Sequence, residues 1–229
     1  MAEWLEFTLA LAAFLGSHIL PRLGGLRERL IARVGRRTYF SLYGGLSLVL
    51  LGWLILATGD APRVQIWPHH IWMRWLVNLV MPFVFMLVLC GIGLRCPNTL
   101  GSKQGADFTP ADPGFAAVSR HPLLLALMIW ASAHLLANGE LAHVILFATF
   151  AGFPVAAIWA FDRKSARQMG DSADALFAQT AWLSLRPLLR RHWWRQNLRL
   201  LAPRCLLALL FWMAALHLHN AVIGAWPFP

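Results

Sequence analysis

Six apolar runs, at about 3–20, 39–57, 72–94, 123–137, 141–160 and 203–222, limit the possible folds of this chain more than any other feature. A helix needs roughly 20 such residues to cross the hydrocarbon of a bilayer, and backbone in lipid must satisfy its own polar groups. Hydrophobic residues make up 59% of the 229 and charged residues 13%, which lies well outside the usual composition of soluble domains. The expected fold class is all-α: a polytopic membrane helix bundle of about six transmembrane helices, forming a single domain over residues 1–229. The run at 123–137 is short, so a tilted or partly re-entrant segment is expected there.

The basic residues set an expected orientation. Arg22, Arg27, Arg29, Arg33, Arg36 and Arg37 separate the first two runs; Arg95, Lys103 and Arg120 separate the third and fourth; nine more fall between Arg163 and Arg204. Only Arg63 and Arg74 remain for the other side. The positive-inside rule then puts both termini outside and the three basic connections in the cytoplasm. The net charge of +10 reads as topology and attraction to anionic lipid, with no nucleic-acid partner. Glu3 and Glu6 stand where a signal peptide would carry its basic residues, so the N-terminal run is expected to remain as a span. Cys90, Cys96 and Cys205 are odd in number and have no CxxC spacing, which supports neither a disulfide framework nor a zinc site.

Two stretches between the runs stand out. Asn98 to Ser119 contains Gly101, Gly105, Pro110, Pro113 and Gly114 and has almost no apolar periodicity, which fits a functional lid or a disordered loop. Asp162 to Pro203 interleaves arginines with Trp182, Trp193 and Trp194, which fits a cytoplasmic helical segment lying in the headgroup layer between the fifth and sixth spans. Small residues recur as Ser41, Gly45 and Gly52, and as Ala148, Gly152, Ala156 and Ala160. Such rows are expected at close helix contacts in lipid.

Ionisable groups inside spans are costly and point to function. His18 follows Gly16 and Ser17, which leave room for a flat group, and Pro21 cannot donate to the Ser17 carbonyl. An imidazole there suits metal or haem ligation, or a hydrogen bond to another helix. In Arg120-His121-Pro122 the proline favours a helix start, whose free N–H groups and dipole beside a guanidinium form a site for a carboxylate or phosphate, or else a cap. Trp130 and His134, four residues apart, share one helical face. His121 and His134 are 13 residues, about 20 Å, apart along a helix and cannot easily serve one small centre. Dinucleotide, Walker, HExxH and nucleophile-elbow motifs are absent, and the spans carry almost no carboxylates, which weakens an ion-transport reading.

Taken together, Gly16-Ser17-His18-x-x-Pro21-Arg22, Gly35-Arg36-Arg37-x-Tyr39-Phe40-Ser41-Leu42, Arg120-His121-Pro122, Trp130-x-x-x-His134-Leu135-x-Ala137-Asn138-Gly139 and Asp162-Arg163-Lys164 resemble the NnrU family, to about residue 200. The resemblance implies a bacterial inner-membrane protein linked to nitrogen-oxide metabolism and denitrification. That family is similar to 15-cis-zeta-carotene isomerase, a membrane haem b enzyme, which implies haem b as cofactor with His18 and His134 as ligands. A cysteine of that relative falls at Ala131 here, so its ligand switch does not carry over. Counting depth from the assigned topology instead pairs His18 with His121. A partner would be a small hydrophobic substrate or a nitrogen-oxide enzyme.

The chain also resembles membrane methyltransferases of the isoprenylcysteine and phospholipid type. That resemblance implies a cytoplasmic S-adenosylmethionine site at Arg120, His121, Asp162 and Arg163. The tyrosine after their His-Pro and the acid paired with Asp162 are missing. A non-catalytic membrane assembly factor is the third expectation.

Overall fold

A computed structural model describes residues 2–103 and 108–228 of the chain. Among them are eight α-helices: α1 (Ala2–Ile19), α2 (Leu26–Val34), α3 (Arg36–Asp60), α4 (Ile71–Gly91), α5 (Pro122–Ala137), α6 (Leu141–Met169), α7 (Ser172–Gln179) and α8 (Arg191–Ile223). Five of these, α1 (continued by a short turn to Arg22), α3, α4, α6 and α8, are long and apolar enough to cross a membrane. The protein is a helical membrane bundle. At 16 residues α5 is about 24 Å long by helical rise, short of the roughly 30 Å of hydrocarbon.

Local chemistry explains where the helices stop. Gly35, at φ +83°, ends α2 and lets α3 start at once, and Gly224, at φ +77°, ends α8 in the left-handed conformation that glycine adopts cheaply. Pro122 occupies the first turn of α5, where a missing N–H costs nothing. Pro82, Pro154 and Pro203 lie inside α4, α6 and α8. Each removes one helical hydrogen bond, a loss that membrane helices tolerate where neighbours supply partners.

The chain forms two compact units, residues 1–68 with 139–146 and residues 69–138 with 147–229. In the first, α1 packs on α3, and Leu54 and Ala57 of α3 are buried. Glu6 of α1 accepts a hydrogen bond from Trp53 Nε1 at 3.1 Å. The backbone at 64–66 pairs with 139–141 through Ile66 N to Gly139 O (2.7 Å) and Leu141 N to Val64 O (2.8 Å). In the second unit, α4 packs along α5 and α8. Met81, Val84 and Leu87 of α4 meet Leu125, Ala126 and Ala133 of α5 in one core cluster. A Cβ on Gly91 would lie 2.5 Å from Pro122 Cγ, so the end of α4 can approach the start of α5 only as glycine.

Two expectations change and one is refined. The stretch 98–119, where described, is packed: Ala116 and Ser119 are fully buried, and Phe115 touches three core clusters. It is neither open lid nor free loop, because Gly93 N bonds Gly101 O and Lys103 N bonds Leu94 O, folding it back on its own start. Gly105 lies outside the described residues. The segment 162–203 is helical as expected but is shared among elements: α6 continues to Met169, and α8 runs unbroken from Arg191 through Pro203. Between them lie α7 and irregular backbone, and Trp193 is buried against Cys90 and Val118. Finally, Ser41, Gly45, Gly52, Ala148, Gly152, Ala156 and Ala160 are exposed within the chain. The inward face of α6 carries Pro154 and Ile158 instead.

Candidate functional site

The second unit has a polar centre where the start of α5, the C-terminal part of α6 and the segment after α7 converge. Its backbone is fixed first: Arg120 N donates to Ala181 O (2.8 Å) and Ser184 N to Val118 O (2.8 Å), tying 118–120 to 181–184. His121 is the N-cap of α5, with φ −128° and ψ 54°, outside the helical region that a following proline disfavours. Asp162 follows the apolar run of α6 and points back to this corner.

The Asp162 carboxylate gathers four donors. Arg120 grips it in a two-point fork, Nε to Oδ1 at 2.9 Å and Nη2 to Oδ2 at 2.6 Å. His121 Nε2 donates to Oδ1 at 2.9 Å and Trp182 Nε1 to Oδ2 at 2.7 Å. Because Nε2 carries the proton, His121 Nδ1 accepts from the Thr99 hydroxyl at 2.9 Å. The Arg120 guanidinium also lies 5.1 Å from the Phe177 ring, and the His121 ring stacks on Phe161 at 6.1 Å. Side-chain exposure is 12% for Arg120, 2% for His121 and 16% for Asp162, so solvent screens these charges little. Burial is the largest influence on the His121 pKa and pushes it below the usual value, although the Asp162 hydrogen bond acts the other way. The fully buried Ser119 hydroxyl has no partner among the described residues.

The anion drawn to the Arg120-His121 corner is thus the protein's own Asp162. Both His121 nitrogens are engaged, so a metal pairing of His18 with His121 would lack its second ligand. Thr99, Phe161, Phe177 and Trp182 were not legible as site residues. Thr99 sits in an aperiodic loop, and Trp182 resembled the other interfacial tryptophans around it. The only sequence hint was Asp162, a carboxylate just past an apolar run.

Trp130 and His134 come together as their four-residue spacing requires, with rings 5.0 Å apart. His134 also faces Phe147 at 5.4 Å, and Trp130 packs edge-on against Phe147 and Phe150. His134 Nδ1 lies 2.9 Å from the Trp130 carbonyl. A carbonyl only accepts, so the proton is on Nδ1 and the lone pair is on Nε2. Ala131, on the same helix, is fully buried.

His18 belongs to the other unit. Its Nδ1 lies 2.8 Å from the Phe14 carbonyl and 3.1 Å from Ser17 Oγ, and its ring meets Phe14 at 4.5 Å and Tyr43 at 5.7 Å. Here too the carbonyl only accepts, so the proton is on Nδ1. Among the described residues, no group of three or more His, Cys, Asp or Glu is placed to hold a bare metal ion.

A family model described as "NnrU protein" matches residues 6–227. The chain belongs to the NnrU family. The match runs across both compact units and includes every histidine, so His18, His121 and His134 all lie within the NnrU region. Neither the curated proteins nor the solved structures yield a match to this NnrU chain.

Proposed function

We propose that this NnrU protein binds haem b within the membrane through His134 and His18, and that it serves nitrogen-oxide metabolism. The single observation that carries the reading is the preparation of His134. Its Nδ1 proton is held by the Trp130 carbonyl, its Nε2 lone pair is directed away, and Trp130 and Phe147 supply flat apolar walls. Metal-binding histidines commonly tie their second nitrogen to a carbonyl in this way, which fixes tautomer and orientation. His18 repeats the arrangement with Phe14 and Tyr43. Each imidazole, taken within its own unit, is thus prepared as a ligand for a planar iron macrocycle, whose iron would supply redox chemistry or bind a nitrogen oxide.

In this reading the chain's own residues orient the two imidazoles and exclude water, while Ala131 offers no sulfur ligand in place of an imidazole. The protein sits in the bacterial inner membrane with both termini periplasmic, as the distribution of arginines supports. Its partner is a nitrogen-oxide enzyme or a small hydrophobic substrate undergoing isomerase-like conversion. The closure of Arg120, His121 and Asp162 on one another supports haem over an S-adenosylmethionine site at that corner.

The test is an absorption spectrum of the detergent-purified protein from haem-replete cells. A Soret band that is retained in His121→Ala and lost or shifted in His134→Ala and His18→Ala is expected. A colourless protein that takes up no added haemin would overturn the reading.

A further inference from the structure

Two of the three cysteines meet across helices. Cys90, in the last turn of α4, and Cys205, in α8, have their sulfurs 3.8 Å apart although 115 residues separate them in the chain. Both are free thiols. Cys90 is buried in a cluster with Val118, Trp193 and Leu201, against which Cys205 packs from α8. The end of α4 and the middle of α8 are held in register by Arg204, whose Nη1 donates to the carbonyls of Ile92 at 2.8 Å and Cys90 at 3.3 Å. That guanidinium covers carbonyls left over at the end of α4 and so fixes the two sulfurs beside each other.

We propose that Cys90 and Cys205 are a disulfide-forming pair that locks α4 to α8 when the protein meets a small organic or protein disulfide. The proposal does not rest on haem binding. Joining the sulfurs requires them to close from 3.8 Å to about 2.05 Å, a movement that the two side chains can share. The reaction is thiol–disulfide exchange. Cys205 is half-buried and therefore the reachable partner, while Cys90 is only 2% exposed. The Cys205 thiolate attacks the organic disulfide, forming a mixed disulfide and releasing one thiol. The Cys90 sulfur then attacks Cys205 sulfur and releases the second. Two protein thiols lose two electrons, the organic disulfide gains them, and the two protons leave on the released thiols.

Cys96 stands apart. It is 2% exposed among Leu94, Ala116 and Leu176, in a different cluster from the one that holds Cys90 beside Cys205.

The experiment treats the folded full chain in detergent with 4,4′-dithiodipyridine and follows released thiopyridone together with the intact mass. The wild type and Cys96→Ser should each release two thiopyridones and end lighter by two hydrogens, with no adduct. Peptide mapping should join Cys90 to Cys205. Cys90→Ser should release one and keep a thiopyridyl adduct on Cys205, and Cys205→Ser should react slowly or not at all. A stable adduct on Cys205 of the folded wild type, a link through Cys96, or a wild type that does not react under these conditions would each overturn the proposal.

Discussion

Replacing Asp162 by Asn tests the polar corner most directly. The substitution keeps the side-chain volume but leaves the Arg120 guanidinium, 12% exposed, facing a neutral amide. Asn has one carbonyl oxygen for four donors, and its NH2 must point at Arg120, His121 or Trp182, all of them donors in the wild type. Breaking one side of a buried pair costs about 3–5 kcal/mol, because the remaining charge stays desolvated. Taking about 4 kcal/mol, and about 2–4 °C per kcal/mol for a chain of this size, the thermal midpoint should fall by roughly 8–16 °C. The assay is intrinsic fluorescence during heating of the detergent-purified protein, with its 12 tryptophans as reporter. Arg63→Ala is the control. Arg63 faces Glu140 at 3.9 Å with side chains 89% and 43% exposed, so its loss should cost less than about 1 kcal/mol. A midpoint for Asp162→Asn within about 2 °C of wild type, or a control that loses as much, would refute the assignment of this corner as a buried ionic centre.

Three further outcomes follow from the geometry. The folded-state pKa of His121 lies below its unfolded value of about 6.5, so the unfolded chain takes up the proton first; this group's contribution to stability is present above that pH and is lost as pH falls toward the folded pKa. The thermal midpoint should therefore drop more steeply below about pH 6.5 in the wild type than in His121→Gln, and parallel curves would contradict this. Trp182→Phe keeps a ring but removes the donor 2.7 Å from Asp162 Oδ2, and should cost about 1.5–3 kcal/mol by the same heating assay, with little change if solvent replaces it freely. Gly91→Ala would place a methyl 2.5 Å from Pro122 Cγ and 2.6 Å from Leu123 Cδ1, and a loss of about 1–3 kcal/mol is expected; an unchanged midpoint would mean that α4 and α5 separate easily.

Some of this was legible in the sequence because it depends only on neighbouring residues. Run length and apolarity are local, so the membrane-spanning helices could be placed before their packing was known. Pro122 at a helix start and the Trp130 ring beside His134 follow from proline geometry and four-residue spacing. The rows of small residues misled, since spacing shows that a face is smooth but not which neighbour it meets; Gly45, Gly52 and Gly152 would each accept a Cβ without touching anything within 4 Å. The interleaved arginines and tryptophans of 182–203 are equally silent about the partner each one meets. Trp182 and Trp194 have the same composition around them, yet Trp182 binds a carboxylate on another helix and Trp194 a carbonyl six residues back.

What the sequence determined is therefore the solvent this chain requires and the faces on which its histidines lie. Only the tertiary structure decided which groups satisfy one another. Thr99, His121, Asp162 and Trp182 are separated by 20 or more residues, and nothing local requires them to meet. A buried carboxylate must be paired, and the fold chose its partners by bringing the start of α5 against the end of the apolar part of α6.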